Sequence, residues 1–182
     1  DLIYLRALPY AVHWNCHSAG GRLFVGGSES EHRRSTAKQP VEISIIKASR
    51  WFGNLGQTVG MPWLQLFFLP APSYNFLPRN QACVSYLKKQ SVSSLISIVA
   101  EAMDSGEPTT GIFAGHFEKQ QGQLGHYYSV RFGWRSRESE EEKRQLELIE
   151  AFMADNPLLI DFDVTRDMIC LDGMASVEIA AI

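Results

Sequence analysis

At 182 residues, 45% of them hydrophobic, the chain is long enough to bury a core without disulfides or metals, and it fits one domain or one domain with an appended piece. Its apolar runs (LIYL, LQLFFL, SLISIVA) are short and interrupted, which excludes a membrane-spanning helix from the reading, and no leader pattern is visible, so a cytoplasmic protein is expected. The net charge of -3 hides a division: residues 41–137 carry nine basic side chains against five acidic, and residues 138–182 carry three against twelve.

Three short apolar segments open the chain, split by Pro9, by Ser18 to Gly21 and by Gly26-Gly27, a pattern that suits strands and turns. Residues 28–39 (SESEHRRSTAKQ) show no apolar period and read as a loop or linker. Next comes VEISIIKASRWF, rich in β-branched residues. Ile43 and Ile45 share one side of this strand, and a slip near Ile46 predicts a bulge. A Gly-rich turn leads to MPWLQLFFLPAP, in which Leu64, Leu66 and Phe68 form one apolar side while Trp63, Gln65 and Phe67 form the other. One side is core, and the second asks for a purpose.

A third strand, QACVSYL, precedes a helix in which Val92, Leu95, Ile96, Val99 and Met103 fall at helical spacing. Serines at its start are expected to cap it, and Gly106 to stop it. TTGIFAGHFEK and GHYYSVRFGWRS then predict two strands about the turn QQGQLG. In the second, Tyr128, Val130, Phe132 and Trp134 alternate with Tyr127, Ser129, Arg131, Gly133 and Arg135, so a packed side backs a side bearing an aromatic ring and two guanidinium groups. Ser139-x-x-Glu142 then predicts a capping box heading an amphipathic helix, with Leu146, Ile149, Phe152 and Met153 on one stripe and Pro157 beyond it. Two short strands, LLIDFDV and DMICLDG, are expected near the end, the second with a turn at Asp172-Gly173, and the closing MASVEIAAI is expected to dock on the body.

Between Pro40 and Ser136 the order strand, strand, strand, helix, strand, strand resembles the OB-fold, a five-stranded Greek-key barrel that commonly binds oligonucleotides across its second and third strands. The resemblance rests on element order and divides the chain into a β segment with linker (1–39), an OB-like β-barrel (40–137) and an acidic helix with C-terminal strands (138–182). The fold class expected is mainly β with two helices, α+β. By that analogy Trp63, Gln65 and Phe67 lie on the binding strand, with Trp51, Tyr86, Tyr127, Arg131 and Arg135 as neighbours.

Single-stranded nucleic acid is held by aromatic faces that stack on bases and by cations that track phosphates. Trp51, Trp63, Phe67 and Tyr127 supply the first, and Lys47, Arg50, Lys88, Lys89, Arg131 and Arg135 the second. The expected function is therefore non-enzymatic binding of single-stranded DNA or RNA with little sequence preference. Two alternatives stay open: the second aromatic face is covered by the chain's own ends, or it is the contact surface of a protein-interaction or assembly subunit, helped by the helix around Leu146 to Met153, in a homo-oligomer or with a partner drawn to the acidic section.

No catalytic or cofactor motif is present; G-x-S-x-G, a phosphate loop, G-x-G-x-x-G and H-E-x-x-H are all missing. His116 and Glu118 share a strand face without a nucleophile to serve. His13, Cys16 and His17 in HWNCH match no standard zinc spacing, and Asp161 and Asp163 offer two carboxylates on one side of a strand. Cys16, Cys83 and Cys170 are far apart and lack a C-x-x-C pair, so free thiols are expected.

Overall fold

The computed structural model describes residues 2–4, 9–26, 32–36, 38–160 and 167–182. Strands are β1 (Tyr10–Asn15), β2 (Arg22–Gly26), β3 (His32–Arg34), β4 (Val41–Leu55), β5 (Thr58–Pro70), β6 (Cys83–Leu87), β7 (Ile112–Gly122), β8 (Gly125–Arg135) and β9 (Met168–Cys170). Helices are α1 (Gln90–Ala102), α2 (Glu140–Asp155) and the four-residue α3 (Ser176–Ile179). The strands form one sheet in the order β3-β2-β1-β6-β5-β4-β7-β8, with β9 paired to β4. The protein is thus mainly β with helices, its sheet curled into a half-barrel. The expected five strands and two helices are corrected: strands from 1–39 and 138–182 join the same sheet, and the short α3 adds a third helix.

Within it, β7-β4-β5-β6 is a Greek key: three antiparallel strands follow one another and the fourth returns beside the first. β1 then adds parallel to β6 through Tyr10↔Cys83 and Ala11↔Val84. His32–Arg34, expected in a linker, pair with β2 instead, because backbone donors and acceptors at a sheet edge find partners whatever the side-chain pattern. The bulge near Ile46 is present as a register shift between Ile45 and Lys47. Alternation puts Ile43 and Ile45 in the inner core and Ile46 in the opposite cluster, and the bulge lets Lys47, which pairs with Phe67, share the side of Ile46.

Curling brings the two flanks together. Tyr128 N donates to Cys16 O at 2.9 Å, His126 Nε2 lies 2.8 Å from Ser18 O, and the Trp14 ring packs 5.9 and 5.7 Å from Phe117 and Phe132. Gly21, at φ 74°, is one point of close approach. A Cβ there would meet the Tyr128 ring at 2.9 Å.

The remaining edge of β8 is closed by α1. Ser91 Oγ and Ser94 Oγ accept from Val130 N and Phe132 N, both at 2.9 Å. The serines expected to cap this helix therefore serve the sheet; Lys89 occupies the N-cap at φ 52° without a side-chain cap. α1 ends through a 3₁₀ turn, Met103–Ser105, before Gly106.

α2 forms as its sequence predicts. Ser139 Oγ accepts from Glu142 N, and the Glu142 carboxylate accepts from Ser139 N, completing the capping box. Of the two expected terminal strands, Met168–Cys170 is β9. Residues 158–160 are irregular, and the rest of LLIDFDV, with Asp161 and Asp163, lies outside the described residues. The closing segment forms α3 with Val177 exposed rather than a docked strip.

Candidate nucleic-acid interface

The side chains expected to make a binding face start from one cross-strand ladder. Register pairs Lys47↔Phe67, Ser49↔Gln65, Trp51↔Trp63 and Gln65↔Tyr86 set all six side chains of the β4 and β5 ladder, with Tyr86, on the outer side of the sheet. Trp63, Gln65 and Phe67 thus share one side with Trp51, Lys47 and Tyr86, but that face is not open. Gln65 is 0% exposed, Phe67 1%, Trp51 5% and Trp63 7%.

Side chains of α2 and of β9, the in-sheet neighbour of β4, close it together with Leu159 and Ile160. Phe67 and Leu69 pack with Ile149, Phe152 and Met153 of α2 and with Leu159, while Trp51 and Trp63 pack with Met168 of β9, Ile160 and Cys170. The apolar stripe of α2 needed a surface to bury, and the second apolar side of β5 is that surface. Beneath this roof Gln65 Nε2 donates to Tyr86 OH at 2.7 Å and Trp63 Nε1 donates to Gly53 O at 3.2 Å. Gln65 Oε1 and Trp51 Nε1 are buried without a hydrogen-bond partner among the described residues.

The roof is fastened by polar groups that the sequence either did not single out or assigned to other roles. Gln145 of α2 is buried; its Oε1 accepts from Ser44 Oγ at 2.5 Å and its Nε2 donates to Pro70 O at 2.9 Å. Arg135, expected to meet phosphate, instead donates to Glu142 at 2.7 and 3.2 Å and pairs with Glu42 at 3.4 Å. That hydrogen bond holds the Glu142 carboxyl at a pKa of about 2, with help from the backbone N–H groups of Glu138 and Ser139, against the opposing effect of burial. Arg137 donates to Thr110 O, Glu142 O and Gly111 O, which ties the exit of β8 to α2. Its burial lowers its pKa to about 10. Arg79 pairs with Glu141, and Arg50 with Asp172 at 3.6 Å. A capping box gives away Glu142 as an N3 residue; nothing in one sequence gives away Arg135 as its partner.

The predicted cations thus divide. Lys47 is half-buried, with Nζ 3.5 Å from Pro157 O. Lys88 donates to Thr58 Oγ1 at 2.9 Å and lies 5.3 Å from the Trp63 ring centroid, a cation–π contact; burial and neighbouring Lys89 lower its pKa. Lys89 stands exposed at the head of α1. Arg131 is exposed, with no ion-pair partner among the described residues.

Arg131 belongs to the part of the β7–β8 hairpin that projects past β4, whose pairing with β7 stops at Val41↔Gly115. On one side of that projection lie His116 opposite Arg131, Glu118 opposite Ser129 and Gln120 opposite Tyr127. His116, Glu118 and Arg131 are exposed and Tyr127 is half-exposed. The other side docks on the β1–β2 turn through Tyr128 and His126. Strand spacing puts Tyr127 and Arg131 roughly 13 Å apart on one face. An aromatic ring and a free guanidinium at that separation reach a base and a phosphate of one extended strand.

No group of three or more His, Cys, Asp or Glu side chains is placed to hold a metal ion among the described residues. Burial raises the pKa of the Cys16 thiol to about 11, and that of Cys83 rises further, so neither is a thiolate at neutral pH. No helix among the described residues is long and apolar enough to cross a membrane. No protein-family model, no curated protein and no solved structure matches the chain.

Proposed function

We propose that this protein is a non-enzymatic module for single-stranded nucleic acid, built on an OB-like barrel, and that it makes contact through the projecting β7–β8 hairpin rather than through the β4–β5–β6 face. The observation that carries the reading is the exposed Arg131, without an ion-pair partner among the described residues, sharing a strand face with half-exposed Tyr127. Support for the OB-like part is the pairing order β6-β5-β4-β7-β8 with α1 following β6, the arrangement in which the hairpin between the last two strands is one of the two binding loops. β1 to β3 and β9 are additions to that plan.

A role in protein assembly through α2 has less to recommend it. The apolar stripe of α2 is spent on the sheet, and its outward side is charged.

The test is a fluorescence-anisotropy titration of a labelled oligothymidylate at several salt concentrations. Arg131→Ala should weaken binding and reduce the slope of log affinity against log salt by about one, as one phosphate contact is lost. Tyr127→Ala should cost roughly 1 to 3 kcal/mol, one stacked base. A flat titration of the unaltered chain at low salt ends the proposal.

A further inference from the structure

α1 carries its charges in an order that its own dipole disfavours. Lys88 and Lys89 precede the helix, Glu101 sits in its last turn, and Asp104 and Glu107 follow it; the first turn has no acidic residue and the last no basic one. The N-cap offers no side-chain hydrogen bond to offset this.

The same helix shows an apolar stripe that the fold does not use fully. Leu95 is buried in the inner core, and Ser91 and Ser94 face β8. Ile96 is 62% exposed and Met103, first residue of the 3₁₀ turn after the helix, 65% exposed; Val99 between them and Val92 at the head are half-buried, packing in part against the inner core and leaving the rest of their surface on this line. These four fall at i, i+4, i+7 and i+11, one line along the helix, bordered by the small residues Ser93 and Ala100.

We propose that this line is the contact of a two-fold symmetric dimer, with α1 packed antiparallel on α1 of a second copy. The axis passes between Ile96 and Val99, so that Val92 of each copy meets Met103 of the other and Ile96 meets Val99. Lys89 of each copy then lies beside Asp104 and Glu107 of the other. The sequence of positive end, apolar middle and negative end is complementary to its own reverse, which is why a second copy is the occupant. Antiparallel packing also opposes the two helix dipoles and brings the misplaced charges of each next to compensating charge. One helix face is a small interface, so the dimer is of the readily dissociating kind. This assignment is independent of nucleic-acid binding and uses Lys89 for the partner copy, not for phosphate.

Sedimentation velocity of the full chain over a concentration series is the test. The unaltered chain should pass from monomer to dimer, and Ile96→Glu, at an exposed position that leaves the fold intact by circular dichroism, should weaken the dimer at least about tenfold. Lys89→Glu alone and the double variant Asp104→Lys, Glu107→Lys alone should each be monomeric, and an equimolar mixture of the two should restore dimer. A chain that stays monomeric throughout, a dimer indifferent to Ile96→Glu, or charge variants that fail to rescue one another would each overturn the assignment.

Discussion

β5 and the β7–β8 hairpin are both strands with an aromatic second face, yet they differ in what lies over it. On β5 the face of Trp63, Gln65 and Phe67 is closed by α2, Leu159, Ile160 and β9; on the hairpin Arg131 is exposed and Tyr127 half-exposed, although Ser129 between them is buried. The difference is one of neighbours and of residue type together. A Trp and a Phe on a central strand attract the nearest unpaired apolar stripe, and α2 supplies one; a Tyr beside an unpaired Arg does not.

The comparison can be broken first at Trp63. Trp63→Ala should destabilise the protein by roughly 3 to 5 kcal/mol in urea unfolding, as an emptied aromatic site does, whereas Arg131→Ala should change stability by less than about 0.5 kcal/mol. Equal effects would mean that the two faces are equally covered. Next in size is the fastening. Gln145→Ala removes partners from Ser44 Oγ and Pro70 O and should cost roughly 1 to 3 kcal/mol in the same assay. A neutral result would show that α2 is held by its apolar stripe alone.

The fastening is also expected to show in acid. Because Arg135 holds the folded pKa of Glu142 at about 2, below its ordinary value of 4.5, the charged form contributes stability that is complete above the ordinary value. That contribution is lost as pH falls from the ordinary range toward about 2. Thermal melts between neutral pH and that limit should show this loss, and Glu142→Gln should lower stability at neutral pH while flattening the acid slope. An unchanged slope in the variant would remove Glu142 from the fastening.

Much of the fold was legible because its signals are local. Ser139 and Glu142 lie within one helical turn, Ile45 to Lys47 carry the bulge, and the order of strands and of α1 follows from periodicity. The site was less legible. MPWLQLFFLP is close to a continuous apolar run, and such a run is the signature of a strand buried on both faces, which outweighs the attraction of reading Trp63 and Phe67 as stacking rings. Arg135 looked free because its partner, Glu142, belongs to the next element and meets it only after α2 folds back on the sheet. Ser91 and Ser94 looked like caps because the edge they close is formed by β8, far along the chain.

Hydrogen exchange of the backbone amides, with and without a saturating oligothymidylate, tests most directly that recognition belongs to the projecting hairpin. The account predicts added protection between His116 and Arg131 and none over Trp51 or from Trp63 to Phe67. Added protection along that tryptophan-bearing stretch of β4 and β5, or loosening of β9 and α2 when the oligonucleotide is added, would contradict it.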